Sequence, residues 1–229
     1  MAIYSLQVKA ISRSAGRSVV AAAAYRAAEN IGDDRLGVVW DFTRKGGVLH
    51  SEIMTPAIAP EWAKDRAELW NAAERAENKS TRWASATTGR DIILALPHEL
   101  THEQRVAAVR EFGAALVKRY GVAVDFAIHA PDRHGDARNY HAHLLTTTRR
   151  IGPNGFGPKT RELDDFKTGP REIEAIRLLV GANRQSRFRT CWDRPPHRLP
   201  QVCRPGDRSR GDGSSGAGTS RRCWPLPFR

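Results

Sequence analysis

Cysteine is nearly missing from this sequence: Cys191, Cys203 and Cys223 are its three, all in the last part of the chain. No disulfide framework can therefore organise the fold. Long apolar runs are missing too. No stretch approaches the roughly 20 residues that span a bilayer, and the opening MAIYSLQVKAISRS turns polar at once, without the basic-then-apolar order of a secretory signal. The expectation is a cytoplasmic protein without membrane insertion. Acids are scarce beside bases: 25 Asp and Glu against 37 Lys and Arg, a formal charge of +12 and an isoelectric point near 10.3. That excess favours a polyanionic partner, although charge by itself does not separate DNA from RNA or an acidic membrane. A chain of 229 residues has room for one domain of ordinary size plus an appendage, but not for a second full domain. No internal repeat is visible.

What the chain does contain is a concentrated group of histidines. RNYHAHLLTTTRR, from Arg138 to Arg150, carries His141 and His143 in a β-forming run of Leu and Thr, so the two rings share one face of a strand. Upstream, GVAVDFAIHAP alternates Val122, Val124, Phe126 and Ile128 against Ala123, Asp125, Ala127 and His129. Between the two lies PDRHGDARN, polar and too short for a helical crossover. This predicts an antiparallel hairpin that sets His129 beside His141 and His143. Three neutral imidazoles on one hairpin face can hold a divalent cation and leave positions open for substrate or water. A short His-x-His motif can equally carry no function. His134, in the loop, reads as a solvated residue.

Elsewhere the pattern alternates strands and helices. AIYSLQVKAI is an opening strand, and the SRSAGRS loop after it offers Arg13 and Arg17 to phosphate. SVVAAAAYRAAEN is an alanine-rich helix stopping at Gly32; VVWDFTRKGGVLHSEIM reads as a hairpin turning at Gly46 and Gly47. PEWAKDRAELWNAAERAEN forms an amphipathic helix with Trp62, Leu69 and Ala73 on one face, and DIILALP is a strand. THEQRVAAVREFGAALVKRYG has capping-box spacing at Thr101 and Gln104, apolar Val106, Val109, Phe112 and Leu116, and a stop at Gly121. IGPNGFGPKTRELDDFKTGP reads as a loop and REIEAIRLL as a last short helix. The class is α+β: a mostly antiparallel sheet with helices packed on one face, the other face left to bind.

Tyr25 is a large phenol in an alanine run, where small neighbours let other groups approach it closely. The alternative is a helix tyrosine half-buried in the core. Taken together, MAIYSLQVKAISRSAGRSVVAAAAYR, LALPHELTHEQR and AIHAPDRHGDARNYHAHLLTTTRR resemble the relaxase domain of the MobA/MobL family, plasmid-mobilisation nickases that include the N-terminal part of TraA conjugation proteins. The likeness runs from Met1 to about Leu179. It implies an HUH-endonuclease-like relaxase domain over residues 1–180, with Tyr25 as nucleophile and His129, His141 and His143 as ligands of a divalent metal. Mg²⁺ or Mn²⁺ is the metal the likeness implies, although three imidazoles would also suit Zn²⁺. The family often has an acidic residue just before ALP, here Asp91; some relatives place a glutamate two residues on, where this chain has Ile93. Asp91 would orient a histidine, or it is a strand-end carboxylate on the surface. Arg138, Arg149 and Arg150 would join Arg13 and Arg17 on the DNA backbone, or are ordinary solvated charges.

The reaction implied is metal-dependent nicking of one strand at a plasmid transfer origin, through a covalent 5′-phosphotyrosine intermediate. Because the bond energy is stored in that ester, the strand can be closed again after transfer. The implied partners are single-stranded DNA at the transfer origin, accessory mobilisation proteins, a separate helicase and a type IV coupling protein. Two other functions stay open on the residues alone: a histidine-metal phosphodiester hydrolase in which Tyr25 is only core, and a non-catalytic basic DNA-binding module with structural histidines.

From about Gly181 the composition changes. Residues 182–229 contain no Lys and no Glu, and their only acids are Asp193, Asp207 and Asp212. Residues 181–229 therefore read as a disordered basic tail. The genetic code offers a second origin for it. DRPPHR, from Asp193 to Arg198, can be written GAT CGA CCA CCG CAC CGN, and one base later the same letters give Ile-Asp-His-Arg-Thr. A similar stretch follows the last helix in relaxases of the family, so a frameshift between Leu178 and Cys191 is the matching expectation.

Overall fold

The computed structural model describes residues 6–79, 81–133, 135–165 and 167–183. Outside the described residues lie the start of the expected first strand, His134, and the tail from residue 184 onward with its three cysteines. In chain order the elements are β1 (Leu6–Ser12), α1 (Val19–Ala27), β2 (Asn30–Asp33), β3 (Val38–Asp41), β4 (Val48–Met54), α2 (Arg66–Glu77), β5 (Thr87–Leu96), α3 (His102–Tyr120), β6 (Val124–His129), β7 (Tyr140–Thr147), β8 (Arg149–Gly152), β9 (Gly155–Lys159) and α4 (Gly169–Asn183). Five strands form one sheet in the order β1-β5-β7-β6-β4, antiparallel at every step. No helix among the described residues is long and apolar enough to cross a membrane.

Alternation along β6 decides what each face of the sheet meets. Val124, Phe126 and Ile128 join Ile92, Leu94 and Leu144 against Val106, Val109, Phe112 and Leu116 of α3 and Ile176 of α4. Ala123 and Leu145 face the other way, onto Val19, Val20, Ala23 and Ala24 of α1 and Leu69, Trp70 and Ala73 of α2. The α+β class and the antiparallel sheet are as read from the sequence. The second face is not left open, however, because α1 and α2 cover its middle. Alanines let α1 come close, and at its start Val19 packs on Gly89 of β5, where a Cβ would stand 2.6 Å from a Val19 methyl. Asp125 is buried under this layer and accepts from two nitrogens of an Arg66 fork and from the Trp70 indole N–H, all at 2.9 Å.

Several local expectations are corrected. α1 ends at Ala27 rather than at Gly32: Ala28 takes a left-handed φ of 59°, its N–H returns to the Ala24 carbonyl, and Gly32 lies inside β2. The glycine pair at 46 and 47 does not close a hairpin between β3 and β4. β3 pairs with β2 as a separate ribbon, while β4 pairs with β6 at the sheet edge. The positive φ of Gly47, 85°, serves the crossing between ribbon and sheet, where its carbonyl accepts the Ala130 N–H. The expected helix over 60–78 is two pieces, a 3₁₀ turn at Glu61–Lys64 and then α2, because the Asp65 side chain caps the Glu68 N–H. The expected loop after Arg150 contains the β8–β9 hairpin, and α4 is longer than the segment from 171 to 179. α3 is as read, with its capping box and a left-handed Gly121.

Candidate active site

β6 and β7 form the expected antiparallel hairpin, in a register that pairs His129 with His141 and Ala127 with His143. Side chains opposite one another share a face, so all three imidazoles stand together at one end of the sheet. Their ring centroids are 5.2 to 5.4 Å apart, and one nitrogen of each ring lies within 4.8 Å of those of the other two.

Each ring has one nitrogen tied to an acceptor. His129 Nε2 lies 2.9 Å from the Arg26 carbonyl, His141 Nδ1 lies 3.0 Å from the Asn139 carbonyl, and His143 Nδ1 lies 3.1 and 3.3 Å from the Asp91 carboxylate oxygens. Neither a carbonyl nor a carboxylate can donate, so these nitrogens carry the protons. The lone pairs are left on Nδ1 of His129 and on Nε2 of His141 and His143. Burial pushes His129 down to about 4, with the positive charge of Lys45 adding to it, and burial lowers His141 too. These two rings are therefore neutral near pH 7, as metal ligands must be. The donor set fits a divalent cation.

Asp91 is no surface carboxylate. Its side chain is only 4% exposed, and besides His143 it receives Arg26 through Nη2 at 2.5 Å and Nε at 3.2 Å. Burial alone would raise its pKa, but hydrogen bonds from His143 and Arg26, and their charge, hold it below the usual carboxylate range. Of the two readings of this residue, the orienting geometry is the one present.

Tyr25 occupies the last turn of α1 and is 49% exposed, outside both core clusters. Half of it is covered, but it belongs to neither core, so the core reading does not describe it. Phe42 and the Tyr25 ring form a T-shaped pair, centroids 5.2 Å apart, and the Lys45 ammonium sits 3.7 Å from the Tyr25 ring centroid while donating to the Tyr25 carbonyl at 2.7 Å. The next residue, Arg26, connects Tyr25 to the histidines: its carbonyl takes His129 and its guanidinium takes Asp91. Arg26 and Lys45 were both missed by sequence reasoning. Arg26 could have been noticed, since on a helix the neighbour of an exposed residue is turned by about 100° toward the sheet. Lys45 had no such signal.

The arginines expected on DNA divide differently from the expectation. Arg13 is buried and held by Glu74, the Glu74 and Trp83 carbonyls and Asn78. Arg149 pairs with buried Glu77 and the Gly157 carbonyl, and Arg150 with Glu162 and the Tyr120 carbonyl. Arg13 and Arg149 are thus fastened by buried carboxylates, which is neither DNA contact nor ordinary solvation, whereas Arg150 is paired at the surface, its side chain 44% exposed. Arg138 is exposed but forked onto Asp136. Arg17 is exposed, and no ion pair among the described residues involves it. The same holds for Arg44, beside Lys45, and Arg133, in the loop joining the histidine strands.

Comparison with known proteins gives consistent results. The model of the family described as MobA/MobL matches residues 17–199, which runs past the boundary expected at 180. The mobilization protein MobL of Acidithiobacillus ferridurans is 43% identical over 198 residues, covering 77% of this chain and 50% of that protein. The conjugal transfer protein TraA of Rhizobium radiobacter is 37% identical over 169 residues, covering 69% of this chain and 14% of that protein. The chain thus spans half or less of the length of these relatives. A solved structure described as the molecular basis of vancomycin resistance transfer in Staphylococcus aureus superposes with a TM-score of 0.67 at 27% identity, covering 80% of this chain and 93% of that one.

Proposed function

The chain belongs to the MobA/MobL family, and from that premise we propose that it nicks one strand of DNA at a plasmid transfer origin, with Tyr25 as nucleophile and His129, His141 and His143 as a metal site. One observation carries the reading: the end of the helix bearing Tyr25 is tied to two of the three histidines, to His129 by the Arg26 carbonyl and to His143 through Arg26 and Asp91. An exposed phenol on a helix end that is bonded to convergent imidazoles suits phosphoryl transfer to tyrosine better than either alternative function.

In this reaction the Tyr25 hydroxyl oxygen attacks the phosphorus of a phosphodiester and the bond to the 3′ oxygen breaks. The one proton the phenol gives up balances the one the departing 3′ oxygen takes up, so that oxygen leaves as a hydroxyl and a 5′-phosphotyrosine ester remains. A divalent cation on the histidines, Mg²⁺ or Mn²⁺ by family likeness, would supply positive charge against the non-bridging oxygens as their charge grows. Asp91 and the Asn139 carbonyl orient the rings of His143 and His141, and the Arg26 carbonyl does so for His129. Exposed Arg17, Arg44 and Arg133 are among the cations proposed to meet a DNA backbone, with Arg138 available if it leaves Asp136. Single-stranded DNA is the proposed substrate; accessory mobilisation proteins, a helicase and a type IV coupling protein are the proposed partners.

Tyr25→Phe tests the proposal. It removes one oxygen from an exposed ring, so folding and DNA binding should persist. The protein–DNA adduct that survives denaturation should vanish. Cleavage at the wild-type rate by this variant would favour the histidine-metal hydrolase instead, and DNA binding without cleavage by the wild-type protein under any divalent metal would favour the binding module.

A further inference from the structure

We propose that Lys45 is a positioning residue for the Tyr25 phenol, an inference that rests on the reading of Tyr25 as nucleophile. Tyr25 is half-exposed at the end of a helix, and such a side chain ordinarily samples several rotamers. Here it is held from two sides. Phe42 makes a T-shaped contact with the ring at an interplanar angle of 89°, and the Lys45 ammonium sits on the ring at 3.7 Å. A cation over an aromatic face is attracted by the ring quadrupole. The same ammonium is anchored by donating to the Tyr25 carbonyl at 2.7 Å, so the clamp closes on one residue, backbone and side chain together.

The placement of this lysine is costly to the folded protein, which is why it calls for an explanation. Partial burial and the nearby positive charge of Arg26 pull Lys45 down to about 8. No carboxylate pairs with it among the described residues; the Arg26 guanidinium is already committed to Asp91. An ammonium on the face of this phenol, without a carboxylate partner among the described residues and repelled by the Arg26 charge, gains from the arrival of an anion. The phosphodiester that Tyr25 attacks is such an anion, and the bound DNA would relieve the repulsion between the two cations. The turn that delivers Lys45 is fixed by its own N–H, which donates to the Phe42 carbonyl at 2.8 Å. Both arms of the clamp therefore come from one short connection between β3 and β4.

The test compares Lys45→Met, which keeps length and loses the charge, with Lys45→Arg, which keeps the charge, alongside Tyr25→Phe. Single-turnover adduct formation is measured at saturating single-stranded transfer-origin DNA, and DNA affinity is measured separately. Lys45→Met should slow adduct formation about 10- to 100-fold, the scale of a nucleophile displaced by about an ångström. Its DNA dissociation constant should move by less than about threefold, since one phosphate contact at most is at stake. Lys45→Arg should recover most of the rate. A second readout needs no DNA: with fluorotyrosine incorporated, the ¹⁹F resonance that disappears in Tyr25→Phe should shift and narrow in Lys45→Met as the ring is released. An adduct rate within about twofold of wild type in Lys45→Met, or an unchanged Tyr25 resonance, overturns the clamp. So does a loss confined to DNA affinity, which would make Lys45 a backbone contact. An adduct that still forms in Tyr25→Phe overturns the nucleophile reading itself, and the inference with it.

Discussion

Replacing Asp91 by Asn perturbs the histidine site through a single charge. The carboxylate accepts from His143 Nδ1 at 3.1 Å and from the Arg26 fork at 2.5 and 3.2 Å, and is almost fully shielded from water. An amide of the same shape has one acceptor oxygen in place of two, and its NH₂ can donate to neither partner. At least one charge-assisted hydrogen bond is lost, worth about 1.5–3 kcal/mol. Removing the partner that orients a metal-binding histidine typically weakens metal affinity 10- to 100-fold, or about 1.4–2.8 kcal/mol. The two figures agree, so most of the loss should appear as weaker metal binding. Asp91→Ala is less informative, because it strands Arg26, whose side chain is 17% exposed, and an orphaned buried charge costs up to about 3–5 kcal/mol in folding. Calorimetric titration of Mn²⁺ into metal-free Asp91→Asn, paired with nicking assays across Mn²⁺ concentrations, gives the answer. We expect a dissociation constant about 10- to 100-fold weaker than wild type, and nicking restored by excess metal. A folded variant with wild-type affinity, or one that stays inactive at saturating Mn²⁺, would refute the orienting role.

Three further outcomes follow from the same geometry. His141→Ala should suppress nicking and be partly compensated by excess Mn²⁺, because two imidazoles still hold a cation weakly; misfolding with no metal response would make the ring structural. Arg13→Ala should lower the melting temperature, since it leaves buried Glu74 with one fewer partner, whereas Arg17→Ala should leave melting unchanged and lower the salt dependence of DNA binding by about one phosphate contact; the reverse pattern would undo the division of the arginines. Ending the chain after Asn183 should leave folding and single-strand nicking largely intact, with some salt-sensitive affinity lost, because Tyr25, Asp91 and the histidines all lie upstream; a folded but inactive product would make the tail a working part, as would codons that cannot encode Ile-Asp-His-Arg-Thr in the shifted frame.

The histidine hairpin was legible because its two strands alternate with period two and the segment between them is too polar and short for anything but a turn. Capping residues likewise fixed α3, where Thr101, Gln104 and Gly121 are all local signals. What escaped was whatever depends on distant partners. The glycines at 46 and 47 announce a turn but not which strands it joins, and β3 found β2 while β4 found β6. Arg13 and Arg149 looked like surface cations because their carboxylates, Glu74 and Glu77, are 61 and 72 residues away in sequence. The openness of Tyr25 depends on which side of α1 meets the sheet, and an alanine run gives almost no hydrophobic contrast from which to tell. Lys45 belongs to the same class, since nothing in FTRKGG says that a phenol from an earlier helix lies underneath.

The most direct test of the central claim is to find where the DNA goes. Protein is incubated with Mn²⁺ and a single-stranded transfer-origin oligonucleotide, denatured and digested, and the peptides are sequenced by mass spectrometry. The account predicts one modified peptide, carrying a 5′-phosphorylated nucleotide on Tyr25, together with a released strand ending in a 3′ hydroxyl. Cleaved DNA bearing a free 5′ phosphate with no modified peptide, or a nucleotide on any residue other than Tyr25, would contradict it.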